Sequence, residues 1–137
     1  MENKANEATP QRPEGDRMLN APLVHMDLNK FIAQVRAEST WADSDHNAIT
    51  IYKNESVRIV LIGMHDQAVL KTHTASGVIT VHVLEGSVDF ITEEQTVSLD
   101  KGQMVALQEK ILHSVKAKEE SFFLLTVVLN NQLRSIK

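Results

Sequence analysis

The chain contains no cysteine, which excludes disulfide bonds, thiolate metal sites and a cysteine nucleophile. It also lacks a long apolar run. Residues 122–129 form one of the longest, and that length is too short to cross a bilayer but fits a strand buried on both faces. No basic stripe accompanies the net charge of -4, so nucleic acid is not an expected partner. Aromatic residues make up 4% of the chain, too few to build a stacking platform.

The residues that are present suit one folded domain. The chain has 137 residues, of which 42% are hydrophobic and 23% are charged. This length and composition are typical of a globular domain with a real core. The first residues contain no apolar segment, so they do not resemble a secretory signal. We therefore expect a cytoplasmic protein with no membrane partner.

Residues 1–22 are predicted to form a flexible tail. This segment is polar and charged and carries all three prolines of the chain. It cannot bury enough apolar surface to offset the entropy of ordering. The folded domain is therefore predicted to span residues 23–137.

The domain is predicted to begin with a helix at about residues 27–37. Asp27 can cap its N-terminus by accepting a hydrogen bond from a free backbone N–H. Apolar residues recur at helical spacing and form one stripe that can pack on the rest of the domain. The stripe consists of Leu28, Phe31, Ile32 and Val35.

After residue 47 the pattern changes to short runs rich in Ile and Val, separated by turns of a few residues. About nine or ten such runs indicate an all-β barrel or sandwich. The Glu85-Gly86 pair is typical of a tight hairpin turn, and Gly102 marks another turn. The predicted strands cover residues 48–52, 57–63, 69–73, 78–84, 87–92, 96–99, 103–107, 112–116 and 122–129.

The most informative stretch begins at His73 and ends in Val-Leu-Glu-Gly86, and Gly102 and His113 follow it. With these residues the chain resembles the cupin superfamily over roughly residues 48–129. Cupins are small double-sheet jelly rolls. The resemblance therefore implies an RmlC-like double-stranded β-helix, or jelly-roll barrel, with a short N-terminal helix. It also implies that His73 and His113 point into the barrel from two different strands.

The resemblance is partial at the positions that hold a metal ion in this family. Three histidines and a glutamate usually bind one divalent ion inside the barrel. His73 and His113 match two of the histidines, whereas Lys71 stands at the first histidine position and Ile79 at the glutamate position. Because a protonated lysine repels a cation and isoleucine has no donor atom, the resemblance implies an incomplete metal site.

His82 is the remaining candidate for a third metal ligand, since it lies on the strand of the missing glutamate. Side chains alternate between the two faces of a strand. If Ile79 points inward, Val81 and Val83 also point inward and His82 points outward. His82 is therefore not expected to bind a metal unless a bulge near Gly77 reverses the alternation.

The predicted pocket combines a few polar groups with aliphatic walls, as small-molecule sites commonly do. Lys71 together with His73 and His113 is a candidate site for a carboxylate or a phosphate. In the alternative interpretation, the long Lys71 side chain reaches the barrel mouth and keeps its charge hydrated. The predicted wall residues are Ile79, Val81, Val83, Met104 and Leu107.

Three roles stay open at this point, of which a purely structural one is the third. The first is a protein that binds a small molecule in the barrel and has an incomplete metal site. The second is a metal-dependent enzyme of the dioxygenase or isomerase type, which requires His73, His113 and a third ligand around iron, manganese, nickel or zinc. Cupins commonly dimerise through an outer sheet face, and an outward apolar residue such as Leu84 fits that arrangement. We therefore expect a homodimer.

Overall fold

The structure is a computed structural model that describes residues 4–5 and 18–129. Within these ranges, eleven strands and two helices follow one another along the chain. The strands are β1 (Lys4–Ala5), β2 (Met18–Asn20), β3 (His46–Lys53), β4 (Val57–Met64), β5 (Val69–His73), β6 (Ile79–Glu85), β7 (Ser87–Thr92), β8 (Thr96–Asp100), β9 (Met104–Leu107), β10 (His113–Ala117) and β11 (Ser121–Val128). The helices are α1 (Leu28–Ala37) and α2 (Ser39–Asp43).

Two antiparallel sheets face each other and form the barrel. One has the strand order β5-β10-β7-β8 and the other has the order β3-β4-β11-β6-β9. Alternate residues of the strands point between the sheets and pack into one apolar cluster, as the period of a half-buried strand requires. Its most buried members include Met64, Val81, Val83, Val88, Ala117 and Phe123. The all-β two-sheet architecture predicted from the sequence is therefore confirmed.

Helix α1 covers the outward face of the larger sheet. Asp27 caps it, since its carboxylate accepts a hydrogen bond from the backbone N–H of Lys30 at 3.3 Å. Ile32 and Val35 are buried and pack with Trp41 in a second apolar cluster. Leu84 also packs against this cluster, so the chain's own helix layer contacts the outward residue that the sequence suggested for dimerisation.

The N-terminal boundary differs from the predicted one. Strand β2 lies within the segment predicted to be a tail, and it pairs with β1. Leu19 and Asn20 are 5% and 3% exposed, so this short stretch is ordered by burial of two side chains. Residues 1–3 and 6–17 of the predicted tail lie outside the described residues.

The turn at Glu85-Gly86 is not the predicted hairpin turn. Strands β6 and β7 belong to different sheets, so the turn carries the chain from one sheet to the other. Gly86 has a φ of +88°, a conformation that glycine adopts without a steric penalty. A local turn signal predicts that the chain reverses, but it does not determine which strands then pair.

No helix in the described part of the chain is long and apolar enough to cross a membrane.

Candidate functional site

The course of the strands defines two ends of the barrel. Strand β6 runs from Ile79 at one end to Glu85 at the other, and β7 returns from Ser87 to Thr92. Thr92 pairs with His113, which in turn pairs with His73 on the edge strand β5. We call the end with Ile79, Thr92, His73 and His113 the open end, and the end with Gly86, Ser87 and Ser121 the closed end.

The two predicted histidines meet at the open end. Their ring centroids lie 4.4 Å apart, with the ring planes inclined by 57°. His113 is 4% exposed and stacks on Phe90 at a centroid distance of 5.5 Å, whereas His73 is exposed. Cross-strand pairing thus brings together two side chains that are 40 positions apart in the sequence.

Hydrogen bonds fix the same tautomer in both imidazoles. Nδ1 of His73 lies 2.8 Å from the carbonyl oxygen of Lys71, and Nδ1 of His113 lies 2.9 Å from that of Ile111. Because a carbonyl oxygen only accepts, each Nδ1 carries the proton and donates it. Each neutral ring therefore presents the lone pair of Nε2, which can accept a hydrogen bond or bind a metal ion.

Burial lowers the pKa of the His113 imidazole below its ordinary value of 6.5. The hydrogen bond to the carbonyl of Ile111 opposes this effect, and the nearby His73 adds to it. At neutral pH His113 is therefore uncharged, and it contributes a dipole to the open end rather than a positive charge.

Sequence reasoning missed Arg58, the charged side chain that β4 directs inward at the open end. Arg58 pairs with Val127, and Val127 and Val60 both pack against the cluster between the sheets. Alternation places Arg58 on the same face as Val60. Within the described residues, its buried Nε atom has no hydrogen-bond partner.

Arg58 lies at the same end of the barrel as the histidines, on the opposite sheet. Strands β4 and β5 are joined by a short loop at the closed end and lie in different sheets, so they run side by side across the barrel. Facing sheets lie about 10 Å apart. The inward row of the larger sheet continues from Arg58 with Val127, Ile79 and Leu107.

The predicted wall residues divide between the two faces. Ile79, Val81 and Val83 are buried in the inner cluster, and Leu107 packs against it. The prediction that Met104 lines the pocket is wrong, because Met104 pairs with His82 on the outward face and is 53% exposed. Val105 pairs with Val81 and takes its place on the inner face.

His82 lies on the outward face, as the alternation predicts. It pairs with Leu124, which packs on the second apolar cluster, beneath α1. The pairing of residues 79–83 with β11 has no register shift. A bulge therefore does not turn His82 inward. The predicted homodimer stays a prediction.

Lys71 lies outside the inward row. Leu70 pairs with Val115 and His73 with His113, so two residues of β5 stand opposite the single residue Ser114 of β10. This bulge interrupts the alternation, and Lys71 is exposed. The position agrees with the interpretation in which the Lys71 charge stays hydrated.

A cleft of about 280 Å³ opens beside Thr92 at the open end. The apolar side chains of Leu107, Ile111 and Leu112 line it together with the 92–95 turn. Ile111 and Leu112 are 37% and 44% exposed. Apolar surface of this kind beside convergent polar groups is typical of a small-molecule site.

The residues of the open end do not fit a complete divalent metal site. Among the described residues, no group of three or more His, Asp, Glu or Cys side chains could hold an ion. The two Nε2 atoms supply two ligands, whereas protein metal sites of this type use at least three. The inward charge of Arg58 adds repulsion toward a cation.

Comparisons with solved structures place the fold. The chain is similar to a conserved protein of unknown function from Streptococcus pyogenes, with 21% identity, a TM-score of 0.64, and 81% of this chain and 90% of that one covered. It is also similar to a cupin superfamily protein from Desulfitobacterium hafniense, with 12% identity, a TM-score of 0.65, and 82% and 95% covered. A third similar structure is salicylate 1,2-dioxygenase from Pseudaminobacter salicylatoxidans, with 17% identity, a TM-score of 0.57, and 61% and 26% covered.

The chain therefore has the fold of the cupin superfamily, as the sequence motifs predicted. No protein-family model and no curated protein sequence matches it. Identities of this size establish a shared fold, and activity has to be argued from the site itself.

Proposed function

We propose that the chain is a cytoplasmic cupin-fold protein that binds a small organic molecule at the open end of its barrel and has an incomplete metal site. One observation carries this proposal. Arg58 and the paired His73 and His113 belong to the same end of the barrel, beside a cleft lined by apolar side chains and by the polar 92–95 turn. A few oriented polar groups on an apolar surface provide orientation and affinity for a small ligand.

The alternative is a metal-dependent enzyme of the dioxygenase or isomerase type. The hydrogen bonds from Nδ1 of His73 and His113 to carbonyl oxygens favour it, because they leave Nε2 of each ring as the nitrogen that could bind an ion. A dioxygenase among the structures of similar fold also supports it. The ion would be iron, manganese, nickel or zinc, and it would need a third ligand in addition to these two imidazoles.

Two measurements on the tag-free protein distinguish these functions. In the first, ¹H–¹⁵N spectra are recorded while a collection of small neutral and charged organic compounds is titrated. We expect saturable shifts at the amides of Ile79, Thr92 and Val127. The amides of Gly86 and Ser87 at the closed end serve as the internal reference and should not move.

The second measurement is elemental analysis after loading with iron, manganese, nickel or zinc and dialysis. We expect no stoichiometric metal, because two imidazoles alone bind an ion weakly. Stoichiometric metal that disappears in both His73→Ala and His113→Ala would replace our proposal with the enzyme function. Shifts confined to residues away from the open end would refute the proposed binding site.

A further inference from the structure

We propose that the open end takes a small organic carboxylate, whose anionic group is held by the guanidinium of Arg58. This inference rests on the proposed binding function of the same end and specifies the class of its ligand. Arg58 corresponds to none of the metal-ligand positions that the sequence resemblance implies.

The buried Nε of Arg58 is the first support. Nearly all buried donors in folded proteins have a hydrogen-bond partner, because a buried unpaired donor costs free energy. Within residues 18–129, Nε has no such partner, and no salt bridge includes Arg58. A carboxylate that accepts two parallel hydrogen bonds from the guanidinium would pair this donor.

Arg36 is an arginine of the same protein whose guanidinium is paired with carboxylates. Its guanidinium donates to Glu120 at 2.8 Å and to Glu85 at 3.3 Å. Arg36 lies on the outside of the barrel, where water is also available. Arg58 points inward and has no such carboxylate among residues 18–129, so an anion from outside this part of the chain would match it.

The guanidinium of Arg58 supplies one fixed positive charge on the inner face. The exposed ammonium of Lys71 lies on β5 at the same end, and Glu93 and Glu94 belong to the turn that lines the adjoining cleft. In its neutral form, the His113 ring can accept a hydrogen bond at Nε2 from a hydroxyl or amide group of the ligand. A single guanidinium matches a carboxylate in charge better than it matches a phosphate dianion.

The surrounding surface indicates the body of the ligand. Ile79, Leu107 and Val127 share the inward row with Arg58, and none of these side chains has a polar atom. The adjoining cleft adds Ile111 and Leu112, together with the 92–95 turn that carries Glu93 and Glu94. Apolar contacts of this kind favour a carboxylate with an aliphatic or aromatic body over a highly hydroxylated one.

The test uses matched pairs of probes that differ only in charge: butanoate and butanamide, benzoate and benzamide, with inorganic phosphate as a further anion. Each is titrated into the full-length protein at low salt, and both the backbone spectra and the Nε–Hε signal of Arg58 are followed. We expect at least one carboxylate to bind about tenfold more tightly than its amide, an effect typical of a charge-assisted pair. The Nε–Hε signal should shift on binding.

Variants then connect the preference to Arg58. Arg58→Met should abolish the difference between carboxylate and amide, and Arg58→Lys should retain only part of it because lysine lacks the planar fork. Arg36→Met removes the same charge at the other end of the barrel and should leave the preference unchanged. Backbone spectra of each variant establish that it is folded.

The outcomes separate this inference from the function on which it rests. If amides bind at the open end as tightly as carboxylates, the carboxylate assignment is overturned and the binding function survives. If phosphate binds more tightly than every carboxylate, the ligand class is also overturned. If no probe of either kind binds at the open end, both proposals fail for this chemistry.

Discussion

The two ends of the barrel differ in how completely their polar groups are paired. At the closed end the Ser121 hydroxyl accepts from the backbone N–H of Ser87 at 2.9 Å and lies 2.8 Å from the carbonyl of Glu119, to which it donates. The Ser87 hydroxyl donates to Asp100 at 2.8 Å. Ser121 is fully buried. Hydrogen bonds between buried polar groups of this kind stabilise the fold.

The open end has the opposite character. Arg58 carries a buried Nε without a partner among the described residues, and each histidine ring makes its hydrogen bond through Nδ1. Exposed apolar side chains such as Val78 and Leu112 lie nearby. Incomplete pairing costs stability, and proteins retain it where a ligand completes the pairing. The contrast supports the proposed division, in which the closed end stabilises the fold and the open end binds a ligand.

The largest effect is expected from a side chain at Gly86. A Cβ there would collide with the hydroxyl of Ser121 and the carbonyl of Glu120, and the φ of +88° is unfavourable for alanine. We expect Gly86→Ala to lower the free energy of unfolding by about 3 kcal/mol or more. Urea denaturation followed by fluorescence of the buried Trp41, the single tryptophan of the chain, measures this.

Gly102 provides a matched control for Gly86. It has the same φ of +88°, but a Cβ at this position has no atom within 4 Å. Gly102→Ala should therefore cost only the conformational strain, about 1 kcal/mol. Equal losses in the two variants would show that the chain around Gly86 relieves the collision with Ser121 and Glu120 at no cost.

Substitutions at the two arginines are expected to change the free energy of unfolding by an intermediate amount and in opposite directions. Arg36→Met removes ion pairs that are 44–45% exposed and a stacking contact 4.6 Å from the Phe122 ring, so it should cost about 1 kcal/mol. Arg58→Met removes an unpaired inward charge and should leave the free energy of unfolding unchanged or raise it by about 0.5–1 kcal/mol. Thermal and urea unfolding compare the two variants directly.

One outcome of the comparison between Arg58→Met and Arg36→Met would contradict the proposed difference between the two ends. If Arg58→Met destabilises the chain as much as Arg36→Met does, the Arg58 guanidinium is paired within the protein in solution. The difference between the two ends would then disappear, and with it the reason to seek an external anion.

Much of the fold could be predicted because strand patterns are local. The predicted runs agree with β3 to β11 within about two residues, and α1 lies within its predicted range. The pairing at Glu85-Gly86 was predicted wrongly, since a turn residue does not encode which sheet the next strand joins. The bulge beside Lys71 was also not predictable, because an extra residue is defined only against the partner strand β10.

The candidate site was predictable only in part. His73 and His113 were found because the motif places them on two strands that meet. Arg58 was missed although its spacing to Val60 puts it on the inner face. Apart from Arg58, the residues from Val57 to Met64 are apolar on both faces, so the alternation of the strand was not visible there. The available signal was the single charged residue inside an apolar run.

The smallest expected effect is a pH dependence at the open end. Burial lowers the pKa of His113 in the folded chain, so below the ordinary value of about 6.5 the unfolded chain binds a proton that the folded chain does not. The free energy of unfolding should therefore fall as the pH decreases from 7 through 6.5 toward the lower folded pKa. Urea unfolding at several pH values between 7 and 5 measures this slope.

Two substitutions locate the source of that slope. His113→Gln should flatten it, because the buried imidazole is removed, whereas His25→Gln removes an exposed imidazole and should keep the wild-type profile. An unchanged slope in His113→Gln would mean that water reaches this ring in solution.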